Sequence, residues 1–506
     1  MTATETMPGE RTRAGAAASA SPIRMFVDGR WHEPDIEDRW QHVDPATGLA
    51  DFSVPVASAA DVNRAVGAAR RAFDEGPWSH LHPRERKLAL RPLADLLRTH
   101  ADELHRLQTR DNGIPIDFGS SYRMSALMAA DIFEYHIGWI DKLGGDAPPP
   151  FSPETPTQAL VLKEPIGVVG AITPFNAPVL QFAQKVAPAL AAGCTIVIKP
   201  SEFASGVAHR YAELIAELDL PPGVFNLVTG LGATGAALAS HGDLDKITFT
   251  GRREIGERVV AGAGTRSVAL ELGGKSPSIV FDDVRDLDAV ARTAMSLVSM
   301  GLSGQVCSTQ TRSLVQRSVY EAFVESARAQ IADVRYGDPF DPTTTSAPII
   351  TPTAAARALR LVEDAVADGG RLVTGGRTAT LAGPEAGGNW VEPTLIADVD
   401  ADMPIAREEV FGPVLAVIPF DDEDDAVRLA NASEYGLSAG VYTGDLARAL
   451  RVGRRLRSGT VGVNGPFVFT PGTPFGGYKT SGLGREGGRE GIEEFLETKT
   501  ITVSLH

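Results

Sequence analysis

Cysteine is all but missing: Cys194 and Cys307 are the only two among 506 residues. Two thiols make no disulfide framework, so a reducing compartment, the cytoplasm, is the expected setting. Basic charge is short as well. With 48 Lys and Arg against 64 Asp and Glu the formal charge is −16, which argues against a nucleic-acid surface or any other polyanionic partner. No apolar run approaches the roughly 18 residues that a membrane span needs, so no membrane partner is expected. The first 22 residues, MTATETMPGERTRAGAAASASP, lack the apolar centre of a secretory signal, and Glu5 and Glu10 count against a transit peptide. They read as a disordered leader. The remainder is ordinary globular composition, 43% hydrophobic and 22% charged, in a chain long enough for two to four domains.

Met25–Trp31 (MFVDGRW) reads as a hairpin turned at Asp-Gly, and Asp44–Gly48 as a turn leading into another strand. From Asp61, read as an N-cap, the spacing of Val62, Ala65, Val66 and Ala69 predicts a helix. Arg84–Leu107 continues as helix, kinked near Pro92, and Ser125–Leu143 is another, ended by Gly144-Gly145. The proline-rich stretch from Asp146 then becomes strand-like (ALVLKEP), and Phe495–Leu505 alternates in the same way. The two are expected to share a sheet across a subunit contact. Between them, Ile166–Gly273 alternates strand and helix patterns, which implies βαβ units, a parallel sheet and ligands at the strands' carboxyl ends. A second alternation runs from Ser278 onwards, and Gly472–Gly491 is dense in glycine.

The chemistry concentrates around Cys307 in GLSGQVCSTQT. A lone cysteine is more often a small buried hydrophobe than a nucleophile, and Cys194, before a buried strand, reads that way. Cys307 sits instead among small residues that let a ligand approach. Upstream, Glu271 ends an apolar alternation in ALELGGKSP. A carboxylate can activate the thiol, or the water that clears a covalent intermediate. Two glycine sites compete for a dinucleotide's phosphates. Gly230-Leu-Gly232-Ala-Thr-Gly235 matches GxGxxG with Glu254 further on, and Thr250-Gly251-Arg-Arg-Glu-Ile-Gly256 also lies between strand and helix. Pattern alone does not choose between them.

Together AITPFN (171–176), IKPSE (198–202), FTGRREIG (249–256), ELGGKSP (271–277), GQVC (304–307), EEVFGPV (408–414) and PFGGYKTSGLGRE (474–486) resemble the aldehyde dehydrogenase superfamily, in order from about Met25 to the end. The resemblance implies an α/β fold: a Rossmann-like NAD(P)-binding domain (23–143 and 164–273), an α/β catalytic domain (274–486) and a β arm for oligomerisation (144–163 and 487–506), hence a homodimer or homotetramer. It implies oxidation of an aldehyde substrate through a thiohemiacetal and a thioester on Cys307. The side-chain amide of Asn176 would stabilise the oxyanion, and Glu271 would be the general base. It places Lys185 and Glu486 near a proton path behind the cysteine. Read alone, Lys185 is equally a solvated helix residue and Glu486 a loop salt-bridge partner.

For the cofactor, the resemblance gives Lys199 and Glu202 the adenine ribose, and Glu409 the nicotinamide ribose with Phe411 beside it. It puts the phosphates at the Gly251 helix and leaves Gly232 and Gly235 flanking the adenine. Ile172, Thr173, Pro174, Phe175, Phe249, Thr250, Arg252, Ile255, Leu272 and Gly273 complete the cofactor set, and no metal is called for. Phe175 and Arg252 depart from the commoner Trp and small hydroxyl residue. Arg252 brings a cation near the phosphates and leaves NADP open, whereas a carboxylate at Glu202 repels a 2′-phosphate and favours NAD. Val179, Phe182, Leu302, Val306, Ser308, Phe467 and Phe469 are read as an apolar substrate tunnel, favouring an aliphatic or aromatic aldehyde. Two alternatives remain: a CoA-acylating relative, against which Glu271 weighs, and a non-catalytic protein that retains the fold.

Overall fold

The computed structural model describes residues 22–34, 38–150, 154, 157–465 and 468–505. The leader read at 1–22 lies outside them except for Pro22, as does Phe467. The chain opens with the expected hairpin, β1 (Met25–Val27) and β2 (Arg30–His32), turned where Asp28 and Gly29 both take positive φ. A second antiparallel pair follows, β3 (Arg39–Val43) and β4 (Ala50–Pro55). The first helix, Ala59–Asp74, is capped by Ser58 and not by Asp61. Asp61 is the third helical residue, and its carboxylate reaches back to the Ser58 amide, closing a reciprocal capping box. The region around Pro92 divides into three helices, Pro83–Leu90, Pro92–Thr99 and Ala101–Asn112. The helix expected to run to Leu143 spans Ala126–Ile137 and stops at Gly138, where the low helix propensity of glycine lets the chain turn.

After β5 (Thr157–Pro165) come the strands of the first sheet: β6 (Val168–Thr173), β7 (Thr195–Pro200), β8 (Phe225–Leu227), β9 (Lys246–Thr250) and β10 (Ser267–Glu271). They run parallel in the order β10-β9-β6-β7-β8, so the direction of winding reverses between β6 and β9. Such a switch point opens a crevice at the carboxyl ends. Both faces are buried: Val169, Ala171, Ile196 and Ile198 pack on one side, Val168, Ile172, Val197 and Ile247 on the other. This explains their unbroken apolar runs.

The second sheet is built from β11 (Pro277–Val280), β12 (Arg312–Gln316), β13 (Arg371–Thr374), β14 (Thr394–Ala397), β15 (Val414–Phe420), β16 (Ser438–Tyr442) and β17 (Thr460–Val463). Their order is β13-β14-β15-β12-β11-β16-β17, parallel except for β13. The short strand β18 (Gly482–Leu483) returns to the first sheet and pairs antiparallel with β10, Glu271 opposite Gly482. The last strand, β19 (Leu496–Ser504), pairs with β5 along its whole length, from Leu496 opposite Pro165 to Ser504 opposite Thr157. The two outlying strands therefore make a ribbon within one chain, not across a subunit contact, because β19 leaves the body where β5 enters it: the Ile166 amide donates to the Phe495 carbonyl at 3.0 Å.

The two sheets meet edge to edge. β10 ends at Glu271 and β11 begins at Pro277, so only residues 272–276 separate the carboxyl edge of the first sheet from the amino edge of the second. Cys307 lies in the loop entering β12, the neighbour of β11. The connection thus turns Glu271 and Cys307 towards one another.

Candidate active site

Cys307 is held by a loop with little freedom. Gly301, Ser303 and Gly304 have φ of 63°, 52° and 72°, and a side chain on Gly304 would strike the Gly412 carbonyl, so only glycine fits there. Buried Gln305 pins the loop from inside. Its Nε2 donates to the carbonyls of Leu302 and Pro348, each at 3.0 Å, and its Oε1 accepts from the Ile350 amide at 2.9 Å. Cys307 itself stays half-buried, while Cys194 is fully buried, its thiol donating to the Phe495 carbonyl at 3.4 Å. Asn176, just beyond the end of β6, donates from Nδ2 to the Gln305 carbonyl at 2.8 Å. One of its two amide hydrogens is so used and the other remains.

Glu271 is only 4% exposed, and its Oε2 is buried without a hydrogen-bond partner. Desolvation, and then the Glu486 charge, raise its carboxyl well above the ordinary value, with Lys185 opposing. Lys185 and Glu486 form a buried ion pair, and the Lys185 ammonium also donates to Thr248 Oγ1 at 2.8 Å. The solvated-helix reading of Lys185 is therefore excluded. Neither residue lines the cleft described below. Burial pushes the Cys307 thiol up, and the carboxylates of Glu409 and Glu271 push the same way. The resting sulfur is a neutral thiol, and its proton needs a base.

From Cys307 a cleft of about 870 Å³ runs along the carboxyl edge of the first sheet. Every residue assigned to the cofactor on sequence lines it: Ile172, Thr173, Pro174, Phe175, Lys199, Glu202, Gly232, Gly235, Phe249, Thr250, Gly251, Arg252, Ile255, Leu272, Gly273, Glu409 and Phe411, together with Asn176, Glu271 and Cys307. Both competing glycine segments open helices on its wall, Gly232–Ala239 and Arg253–Ala263, neither with a side-chain cap. Burial lowers the Lys199 ammonium to about 8. Glu409 accepts from the Gly274 amide at 3.2 Å, and burial raises its carboxyl to about 7. Phe175 and Phe411 meet edge to face with centroids 6.1 Å apart. A Cβ on Gly273 would collide with the Glu409 carboxylate, so glycine there lets the carboxylate lie directly on the backbone of residues 273 and 274. Uncapped helix ends, an ammonium and two carboxylates lining one cleft fit a dinucleotide.

Sequence reasoning missed Arg357 and Tyr435, which line the cleft from the second sheet. Arg357 donates to the Glu409 carbonyl at 2.8 Å. Nothing local marks it, since it sits in an ordinary amphipathic helix, Pro352–Ala367. The expected tunnel fares differently. Val179 and Phe182 belong to the hydrophobic core, with Phe182 stacked on Tyr211 at 4.2 Å and the Tyr211 hydroxyl donating to the Val179 carbonyl at 2.7 Å. Leu302 is buried, and Val306, Ser308 and Phe469 are half-buried.

A nucleotide-sized cleft that ends on a cysteine beside a carboxylate and an amide is the arrangement expected of an oxidoreductase that uses a thiol. Comparison with known proteins narrows the class. The family model described as the aldehyde dehydrogenase family matches residues 31–501. The chain is 40% identical over 494 residues to aldehyde dehydrogenase family 2 member B4, mitochondrial, of Arabidopsis thaliana, covering 97% of this chain and 90% of that protein. Its fold matches betaine aldehyde dehydrogenase of Staphylococcus aureus in complex with NAD+ (TM-score 0.93, 36% identity, 97% of each chain). It also matches an NAD-dependent aldehyde dehydrogenase of Sinorhizobium meliloti (TM-score 0.92, 38% identity, 97% of each chain). The chain belongs to the aldehyde dehydrogenase family, NAD-dependent oxidoreductases acting on aldehydes.

Proposed function

We propose that the residues brought together at Cys307 oxidise an aldehyde to its carboxylic acid by way of a cysteine thioester that water hydrolyses. The observation that carries this reading is the convergence of Cys307, Asn176 and Glu271 at one end of the dinucleotide cleft. Glu271, whose raised carboxyl makes it a stronger base than an ordinary glutamate, takes the thiol proton. The sulfur bonds to the carbonyl carbon, and the carbonyl oxygen gains the electron pair as an oxyanion. The remaining Asn176 N–H donates to that oxygen. NAD bound in the cleft supplies the acceptor for the hydride leaving this carbon. Lys199, Glu202 and Glu409 hold its riboses and the Gly251 helix its phosphates. As the hydride leaves, the oxyanion's electron pair re-forms the carbonyl and the thioester results. Glu271 gives up the thiol proton to solvent, then takes a proton from water as the oxygen adds to the thioester, and the acid leaves as the sulfur is released as thiolate.

Among the described residues no helix is long and apolar enough to cross a membrane. A nucleophilic thiol suits a reducing compartment, and we assign the protein to the cytoplasm. Glu202 on the cleft wall supports NAD over NADP. The ribbon of β5 and β19 exposes Leu160, Ile501 and Val503 at 40–44%, and we read it as the arm, within 144–163 and 487–506, through which copies of the chain assemble.

The test is Glu271→Gln. Rapid mixing with NAD and aldehyde is expected to give one burst of about one NADH per subunit, slower than in the unaltered enzyme because the thiol has lost its base, followed by steady turnover lowered about 10²–10⁴-fold. Undiminished steady turnover would remove Glu271 from the base role. Rescue of the rate by CoA in the unaltered enzyme would favour the acylating alternative.

A further inference from the structure

The walls of the cleft belong to different sheets, and an ion pair crosses from one to the other. Arg253, the first residue of the helix Arg253–Ala263, lines the cleft on the side of the first sheet. Its Nη1 lies 2.5 Å from Glu434 Oε2. Glu434 belongs to the turn between the helix Glu423–Asn431 and β16, on the side of the second sheet. Its neighbour Tyr435 lines the cleft from there. The Arg253 and Glu434 side chains are 30% and 53% exposed, so the pair stands at the solvent mouth of the cleft and not on its floor.

Both ends of the pair are fixed from behind. Arg253 Nε donates to Glu257, one helical turn on, at 2.9 Å, which aims the guanidinium. The Glu434 carbonyl accepts from the Thr480 amide at 3.2 Å and from its hydroxyl at 2.8 Å. The Gly436 amide donates to Ser481 Oγ at 2.9 Å, and that hydroxyl donates in turn to the Gly273 carbonyl in the crossing between the sheets. On the opposite wall the Gly251 amide donates to the Glu271 carbonyl at 3.0 Å. The backbones on both sides are thus tied to one short connection, and the freedom left at the mouth is that of the two side chains.

We propose that Arg253 and Glu434 form a clasp across the mouth of the cleft, one that must part for a dinucleotide to enter or leave and that slows the departure of NADH. The inference rests on the assignment of the phosphates to the Gly251 helix, since Arg253 stands two residues beyond Gly251. An exposed ion pair contributes little, so the effect is a few-fold and not orders of magnitude. Its sign is the informative part. NADH carries negative charge on its diphosphate, so plain electrostatics makes removal of the Glu434 carboxylate tighten binding. A clasp makes the same removal release NADH sooner.

The experiment needs no aldehyde. Enzyme loaded with NADH is mixed rapidly with excess NAD, and the decay of NADH fluorescence gives the release rate. Glu434→Gln and Arg253→Gln are each expected to raise that rate about two- to fivefold. The double variant is expected to release no faster than the faster single one, as for two residues acting as a unit. Arg253→Lys, which keeps the charge, is expected to stay near the unaltered rate. At about 1 M salt, where screening acts within about 3 Å, the gap between the unaltered enzyme and Glu434→Gln should narrow. Release from Glu434→Gln that is slower or unchanged, or single effects that multiply in the double variant, overturns the clasp and leaves the cofactor assignment standing. No NADH signal from the unaltered enzyme overturns both.

Discussion

At the scale of single residues, burial shifts the ionisation of groups around the candidate site that water would leave ordinary. Glu271 is a carboxylate whose burial, without a partner for Oε2, strengthens it as a base. Asn176 is held by its bond to the Gln305 carbonyl, so the donor is oriented before any substrate arrives. Asn176→Ala is expected to lower kcat by about 10²–10³ with the Kd for NAD unchanged, measured by steady-state rates and by titration of the cofactor. Glu409 gives a pH dependence of another kind. Its carboxyl, raised by burial to about 7, is protonated below that value and ionised above it. Ribose hydroxyls donate more strongly to the ionised form. Affinity for NAD should therefore rise as the pH climbs from 6 to 8 and lose most of that dependence in Glu409→Gln, as calorimetric titration can show.

At the scale of elements, periodicity located the parts and missed their orientation. β6 to β10 were legible because strands covered on both faces read as unbroken apolar runs between helical patterns. The residues at their carboxyl ends, Thr173, Lys199, Thr250 and Glu271, were legible as ligand-facing for the same reason. The helix after Asn176 was equally clear as a helix, yet which stripe meets the core depends on Tyr211 and Phe225, far away in sequence. That is why Val179 and Phe182, read as tunnel residues, turn out to belong to the core. Asp61 was mistaken for the cap because a capping box uses both of its ends, and only geometry shows that Ser58 lies outside the helix. The Lys185–Glu486 pair joins two elements that local pattern does not connect. Lys185→Met removes the cation and leaves Glu271 facing the Glu486 carboxylate. The sign follows from like charge: the Glu271 carboxyl is pushed further up, and the pH at half-maximal rate should move higher.

At the scale of the whole molecule, two largely parallel sheets both contribute residues to the cleft, and the ribbon stands apart. β19 is exposed along most of its length, with Ile501 and Val503 both at 44%. A long unpaired ribbon with apolar residues on it calls for a partner surface, and a second copy of this chain is the partner proposed. Ile501→Glu combined with Val503→Glu should lower the mass measured by light scattering towards the 53.5 kDa of one chain, with secondary structure retained.

The crossing from Glu271 to Pro277 is the shortest route between the sheets, and it is clipped in place. Ser481 accepts from the Leu272 amide through its carbonyl at 2.9 Å and donates through its hydroxyl to the Gly273 carbonyl at 2.7 Å. Most loops on a rim can be lengthened without harm, but this one works as a gauge block. It fixes how far the proposed base stands from the sulfur, so one inserted residue is expected to detune the chemistry while both cores stay intact.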